Sequence, residues 1–501
     1  MEKRLPSLYY NWISVIGTAM AVVSLSIIAF LFAFDLARSH ASPYFGIITY
    51  MIMPVGVIVG LLLIPLGMLR ERRRRDRAVK PLFFSLTIDF TNPRHRNAFI
   101  AFLIVTAIFL IGTAVGSYQA YHYTETVDFC GRVCHQIMEP EYTAYQQSPH
   151  ARVTCTDCHV GQGASWYVKS KLSGAYQVYA AAMDVYPRPI PTPIENLRPA
   201  RETCEQCHWP EKFYGEQEKE IHRYRADETN TNWKIDMLLN VGGRQSMASR
   251  HSGIHWHIAN QVAFIARDSA RQDIPWVQVT YEDGTQETYN SMWDPLPDST
   301  IATADQRVMT CIDCHNRPTH IFKSPMDIVD DAVSAGEISP QIPFIKQQGV
   351  YALRKGYTNK DSALISIEQQ IRQYYRQNYP AITDTLRAEL NQAVTTLQTA
   401  YSNNFFPYMK VKWDTHHDNI GHFDDLGCFR CHNGNMADDA GETITHDCNA
   451  CHTIIEQGPV GQTQFASNSK EGLDFKHPMD IGEAWRSMNC SDCHNGGGAV
   501  F

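Results

Sequence analysis

Three transmembrane α-helices followed by a mainly α-helical and irregular exported domain with a minor β-hairpin are the architecture the sequence predicts. Three observations carry that expectation. Three long apolar runs lie in the first 118 residues, and an arginine-rich run separates the second from the third. Beyond them, fourteen cysteines fall into seven close pairs, each followed at once by a histidine.

Residues 12–34, 45–69 and 98–117 are each long enough to cross a hydrocarbon core, which takes about 20 apolar residues of helix. The first run has the position of a cleaved signal peptide, but its apolar stretch outlasts a typical signal core, so an uncleaved anchor is expected. RERRRRDRAVK, Arg70 to Lys80, fixes the orientation, because short arginine-rich loops stay cytoplasmic. The amino terminus, with Lys3 and Arg4, is then inside, and everything after residue 118 is outside. Residues 1–117 hold 12 lysines and arginines against 5 acidic residues, so of the chain's net −8 the remainder carries −15. An acidic exported part discourages nucleic acid and suits partners with basic docking faces.

Six cysteine pairs have two intervening residues: Cys155/Cys158/His159, Cys204/Cys207/His208, Cys311/Cys314/His315, Cys428/Cys431/His432, Cys448/Cys451/His452 and Cys490/Cys493/His494. Two thiols at this spacing add to the two vinyl groups of one haem, and the adjoining histidine is held under the iron. Zinc would use such pairs two at a time and needs no histidine directly after each, and a thioredoxin-like redox pair would occur once. The seventh group, Cys130/Cys134/His135, has Gly131, Arg132 and Val133 between its cysteines. It is either a haem site with a longer loop or a pair left reduced, so the expected count is seven haem c, with six as the alternative. The chain thus reads as a membrane-anchored multihaem cytochrome c. The exterior is also the side on which haem c is attached.

The spans offer no histidine to hold a haem inside the bilayer, since His40 lies in the short outer loop and His95 at the cytoplasmic start of the third run. Electrons from a lipid-soluble donor must therefore leave at the outer surface, where the first motif stands.

Residues 134–161, CHQIMEPEYTAYQQSPHARVTCTDCHVG, resemble the opening of the NapC/NirT/NrfH quinol dehydrogenases, and the likeness covers roughly residues 120–210. The whole layout is similar to the heptahaem inner-membrane cytochromes of metal-respiring bacteria. Two departures stand out: the smaller family has one span and four haems, and its first motif has two intervening residues with methionine two places after the histidine, whereas Met138 stands three places after His135. The resemblance implies oxidation of menaquinol at the first haem, with Met138 either its distal ligand or a packing residue. A helix over residues 163–186 follows, with Trp166, Tyr167, Tyr176 and Tyr179 as interfacial aromatics. Lys169 or Lys171 matches the family's quinol-pocket lysine, while Gln177 stands where an acid is expected. Glu139, Glu141 and Asp184 are the nearby candidates to accept the quinol protons. The implied setting is the bacterial inner membrane with the haem domain in the periplasm. The implied partners are the membrane quinol pool and periplasmic c-type cytochromes, with oligomeric state left open.

Four regions are expected: a membrane anchor over 1–118, a family-like domain with haems 1 to 3 over 119–210, an insert-rich middle with haem 4 over 211–427, and a three-haem module over 428–501. In the middle, VQVTYEDGTQETY reads as a hairpin turning at Asp283-Gly284, and residues 361–379 and 381–402 read as helices split by Pro380. Haem faces are expected to replace much of the apolar core. Candidate distal ligands are His150, which matches the family's element, His320, His446 and His477, with one or two more expected among His251, His255 and His257 and one or two among His416, His417 and His422. His320 is too close to its own motif to cross that ring and serves a neighbour. Besides quinol oxidation, two functions stay in view, a passive wire fed by another protein and a terminal reductase. The latter's frequent mark, Cys-x-x-Cys-Lys, does not occur.

Overall fold

The computed structural model describes residues 8–36, 53–76, 90–133, 135–161, 163–194, 198–209, 213, 215–242 and 253–494. Cys134, His40 and His251 fall outside these, as do the side chains of His95 and His135. The chain forms two compact units, Met1–Gln136 and Ile137–Phe501.

In the first unit, α1 (Trp12–Leu36), α2 (Met53–Asp76) and α3 (Pro93–Thr124) contain the three apolar stretches long enough to cross a membrane, Trp12–Phe30, Met53–Arg75 and Phe99–Thr124. Their leucines, valines and isoleucines point outward, as a lipid solvent requires, so small residues rather than apolar burial join α1 to α2. A Cβ on Gly17 would stand 2.6 Å from the Gly60 carbonyl oxygen, and one on Gly60 would stand 2.7 Å from Ala21 N. Ser14 Oγ adds a hydrogen bond across the pair, donating to Ile64 O at 2.9 Å. The arginine run is helical as far as Asp76, where Arg75 pairs with Glu71 at 2.9 Å. A π-helical turn over Phe129–Val133 presents Cys130 beyond α3.

The second unit opens along α4 (His135–Gln146), α5 (Cys155–His159), α6 (Ala164–Ala182) and α7 (Ala200–Thr203). Strands β1 (Glu216–Tyr224) and β2 (Asn232–Asn240) precede a short helix α8 (Trp256–Ala259). Then come β3 (Gln261–Ile265), β4 (Trp276–Thr280), β5 (Gln286–Ser291) and β6 (Arg307–Val308). The motif helix α9 (Cys311–Cys314) leads into four longer helices, α10 (Pro325–Ser334), α11 (Ile345–Arg354), α12 (Lys360–Asn378) and α13 (Arg387–Asn404). The chain ends through β7 (Met436–Ala437), β8 (His452–Pro459), β9 (Gln464–Phe465) and α14 (Cys490–His494).

The expected β4–β5 hairpin is present, with Gly284 at φ +85°, but it belongs to a larger β structure than a minor hairpin. All pairings are antiparallel, in a sheet ordered β1-β2-β8-β9 and another ordered β6-β3-β4-β5-β7. Strand β8 is laid against β2 and β7 against β5, so both sheets take strands from each side of residue 427. The sheets therefore run across the expected boundary at residue 427.

The helices α10–α13 form an apolar layer of their own. Ser324 caps α10 by accepting from Asp327 N and Asn359 caps α12 by accepting from Ser362 N, and Val329, Ile342, Ile345, Ile367, Ile371 and Leu397 are fully buried between them. Apolar residues at helical spacing supply the core of this layer. At its edge Lys346, fully buried, donates to Asp330 Oδ1 at 2.6 Å, and Asp330 also accepts from Arg223 on β1 at 3.3 Å and from Tyr224 N at 3.0 Å.

Candidate functional site

Each motif must present two thiols on one side of a short turn. In α5 and α9 this is done by a capping box: Thr154 and Thr310 stand before the first cysteine, and Asp157 and Asp313 stand three places on. Residues three apart on a helical turn share a face, so each pair of sulfurs points the same way. Asp447 caps the turn at Cys448–Ala450 by accepting from Asn449 N at 3.0 Å, and Asp492 accepts from Asn489 N at 3.0 Å at the head of α14.

Six motif histidines each face a second histidine. Ring centres are 6.3 Å apart for His159 and His320, 6.0 Å for His208 and His150, and 6.3 Å for His315 and His255. They are 5.7 Å apart for His432 and His257, 6.2 Å for His452 and His422, and 6.2 Å for His494 and His477. Two metal–nitrogen bonds of about 2 Å each would separate facing nitrogens by roughly 4 Å and ring centres by roughly 6 Å. The Nε2 atoms of His257 and His432 are 3.5 Å apart. The spacing fits six-coordinate iron between each pair.

Tautomers agree with that fit. Nδ1 of His150, His255, His257, His320 and His432 lies 2.6–3.3 Å from a main-chain carbonyl, those of Pro318, Val241, Ile254, Glu141 and Thr445. A carbonyl oxygen only accepts, so each Nδ1 carries the proton and Nε2 keeps the lone pair that a metal needs. Burial pushes the pKa of His257, His320 and His494 down to about 4 and lowers those of His159, His315, His422, His432 and His452, which favours the neutral, ligating form.

Consecutive motifs are neighbours. Cys158 is in electrostatic reach of Cys204 and Cys207, Cys204 is hydrogen-bonded to Cys311, Cys314 lies near Cys428, Cys451 near Cys428, and Cys490 near Cys448. Arg430, buried inside the fifth motif, donates to Asp313 O in the fourth at 2.9 Å. His255 and His257, two residues apart at the head of α8, face the fourth and fifth motifs.

Other expected residues stand elsewhere. His417 holds Asp425 through Nδ1 at 2.6 Å, and the His446 ring lies against Gly434; neither stands in one of these six pairs. The neighbouring His416 places Nδ1 3.1 Å from Thr192 Oγ1 and leaves Nε2 buried and unpartnered, as are Glu141 Oε2 and Arg317 Nη2.

The family model for the N-terminal region of the NapC/NirT cytochrome c family matches residues 92–189. Over 487 residues, 97% of this chain and 95% of the relative, the chain is 44% identical to cytochrome c-type protein ImcH of Geobacter sulfurreducens. The chain belongs to the NapC/NirT-type cytochromes c. No solved structure matches it.

Membership in the NapC/NirT family makes this a membrane-anchored multihaem cytochrome of quinol-linked electron transport, with covalently bound haem c. The segment after the second motif in this NapC/NirT-type chain is α6, where Val168, Leu172, Tyr176 and Tyr179 are exposed. Such a face suits the head-group zone. Lys169 Nζ lies 4.7 Å from the Trp166 ring centre and Lys171 Nζ 4.9 Å from that of Tyr167, while Gln177 donates to Ser173 Oγ at 3.2 Å. Glu139, on α4, is paired with Lys360 at 3.4 Å, and Asp184 with Arg188. Glu141 is largely buried, and that burial raises the pKa of its carboxyl. Met138 is half-buried on α4.

Proposed function

We propose that the protein is a menaquinol dehydrogenase that takes electrons from menaquinol at the periplasmic surface of the inner membrane and delivers them to periplasmic c-type cytochromes. The observation that carries this reading is the unbroken succession of neighbouring motifs, each with a histidine pair, from the second to the seventh, in a chain whose first motif follows directly on a membrane span. Seven bound haems would supply one-electron carriers along that succession.

The protein's own groups do the rest. His320, His150, His255, His257, His422 and His477, facing His159, His208, His315, His432, His452 and His494, are the residues that would hold the iron of motifs two to seven with them. At the first motif, by its sequence, His135 would be the proximal ligand and Met138, three places on, the candidate distal one. The exposed apolar face of α6 keeps its segment at the lipid head groups, where Lys169 or Lys171 meets the quinol. Glu139, Glu141 and Asp184 are the carboxyl groups available to take its two protons. The first three motifs form an entry group, the fourth a bridge, and the last three an exit group. Arg430 and the His255–His257 pair fasten the bridge to the exit.

Purified protein in detergent, without other subunits, is expected to be reduced by a menaquinol analogue, read as growth of the ferrous haem absorption. Protein that stays oxidised with the analogue while dithionite reduces it would assign the quinol chemistry to another subunit.

A further inference from the structure

The last histidine pair carries a feature that the pairing itself does not require. Phe423 stacks on His494, with ring centres 4.4 Å apart and planes at 24°. Similar stacks hold two other histidines of the six pairs, Phe213 on His255 at 4.2 Å and 14°, and Phe429 on His422 at 4.2 Å and 13°. Phe423 differs because the guanidinium carbon of Arg223 lies 4.5 Å from its ring centre. Arg223 is itself held, by Asp327 and by Asp330 at 3.3 Å, and Asp330 is held in turn by the fully buried Lys346. The stack therefore runs from a rigid ion network at the edge of the helical layer, through one aromatic ring, to the proximal imidazole of the seventh motif.

We infer that Arg223 and Phe423 are positioning residues for His494: the ring fixes the plane of the imidazole, and the arginine sets a permanent positive charge behind it. The inference rests on the reading that Cys490, Cys493, His494 and His477 hold a haem. Flat rings in contact resist rotation past one another, so Phe423 limits the torsion of His494 about its Cβ–Cγ bond. A cation on an aromatic face in a water-poor site is weakly screened, and it disfavours the state of any neighbour that carries more positive charge. For a haem held by His494 that is the ferric state, so the arrangement raises the reduction potential of the final carrier and makes the last internal electron transfer more favourable.

The test uses the full-length protein in detergent. Cys490→Ala with Cys493→Ala should lower the intact mass by one haem and remove one component from the potentiometric titration and one low-spin signal from the electron paramagnetic resonance spectrum, which identifies the seventh site. Phe423→Leu should shift that same signal and lower that same potential, while Phe423→Tyr should restore both. Arg223→Gln should lower the same potential, and Arg223→Lys should retain most of it. If Arg223→Gln fails to accumulate, the Phe423→Leu and Phe423→Tyr comparison decides. An unchanged signal and potential in Phe423→Leu would overturn the inference while leaving the haem reading intact. An unchanged haem mass in the cysteine variant would overturn both.

Discussion

At the scale of single residues, main-chain oxygens do much of the preparation for metal binding. The carbonyls of Val241, Ile254, Glu141 and Thr445 hold the protons of His255, His257, His320 and His432 on Nδ1, so each ring meets its opposite with a free Nε2. His257→Ala should therefore leave the haem mass unchanged but convert one haem from low to high spin, visible in the absorption and paramagnetic resonance spectra. Met138→His should lower one haem potential and slow reduction by quinol, because a thioether ligand raises potential relative to imidazole, whereas an unchanged titration would make Met138 a packing residue. Asp330→Ala would leave the fully buried Lys346 without its carboxylate, a loss of about 3–5 kcal/mol of stability measurable by thermal unfolding. The cysteines and their adjoining histidines are legible in the sequence because the chemistry demands contiguity. The distal partners are much less so: His150 and His208 are joined through tertiary structure, and nothing local separates His417 from His422, which faces His452. The stacking phenylalanines leave no recognisable signal, since each is one aromatic among many.

Among elements, the long helices and the β4–β5 hairpin are readable and the rest of the two sheets is not. Helices α12 and α13 follow the apolar periodicity on either side of Pro380, and α1 and α2 follow from apolar length alone. Strands β6, β7 and β9 are two residues long, and β8 begins on a motif histidine, so no alternating pattern announces them. The contact between α1 and α2 depends on glycine, and Gly60→Leu should push the pair apart and reduce the amount of intact protein recovered from membranes. Across the first sheet, Lys234 on β2 binds Glu220 on β1 at 2.9 Å and Glu456 on β8 at 2.7 Å. Lys234 holds both carboxyls below their usual 4.5. Their contribution is present above pH 4.5 and is lost as pH falls through the lowered values. Thermal stability should thus fall with acidification in that window, and Lys234→Met should flatten this part of the profile.

For the molecule as a whole, the division is one of solvent. A basic anchor of three apolar helices precedes an acidic region that holds every cysteine. Composition shows this division directly, whereas the interleaving of the last three motifs with the middle sheets needs the fold, because β2 and β8 are far apart in the chain. No histidine lies within the apolar runs 12–34, 45–69 and 98–117, and His122 stands only at the far end of the span Phe99–Thr124, so on the proposed reading electrons and protons should leave the quinol on one side of the bilayer. The direct test reconstitutes the protein alone in liposomes containing menaquinol, with the exported domain outward and a soluble c-type cytochrome outside. The account predicts steady reduction of that cytochrome, proton release to the outside and no membrane potential. A potential built up during turnover, or no reduction without a further membrane subunit, would contradict it.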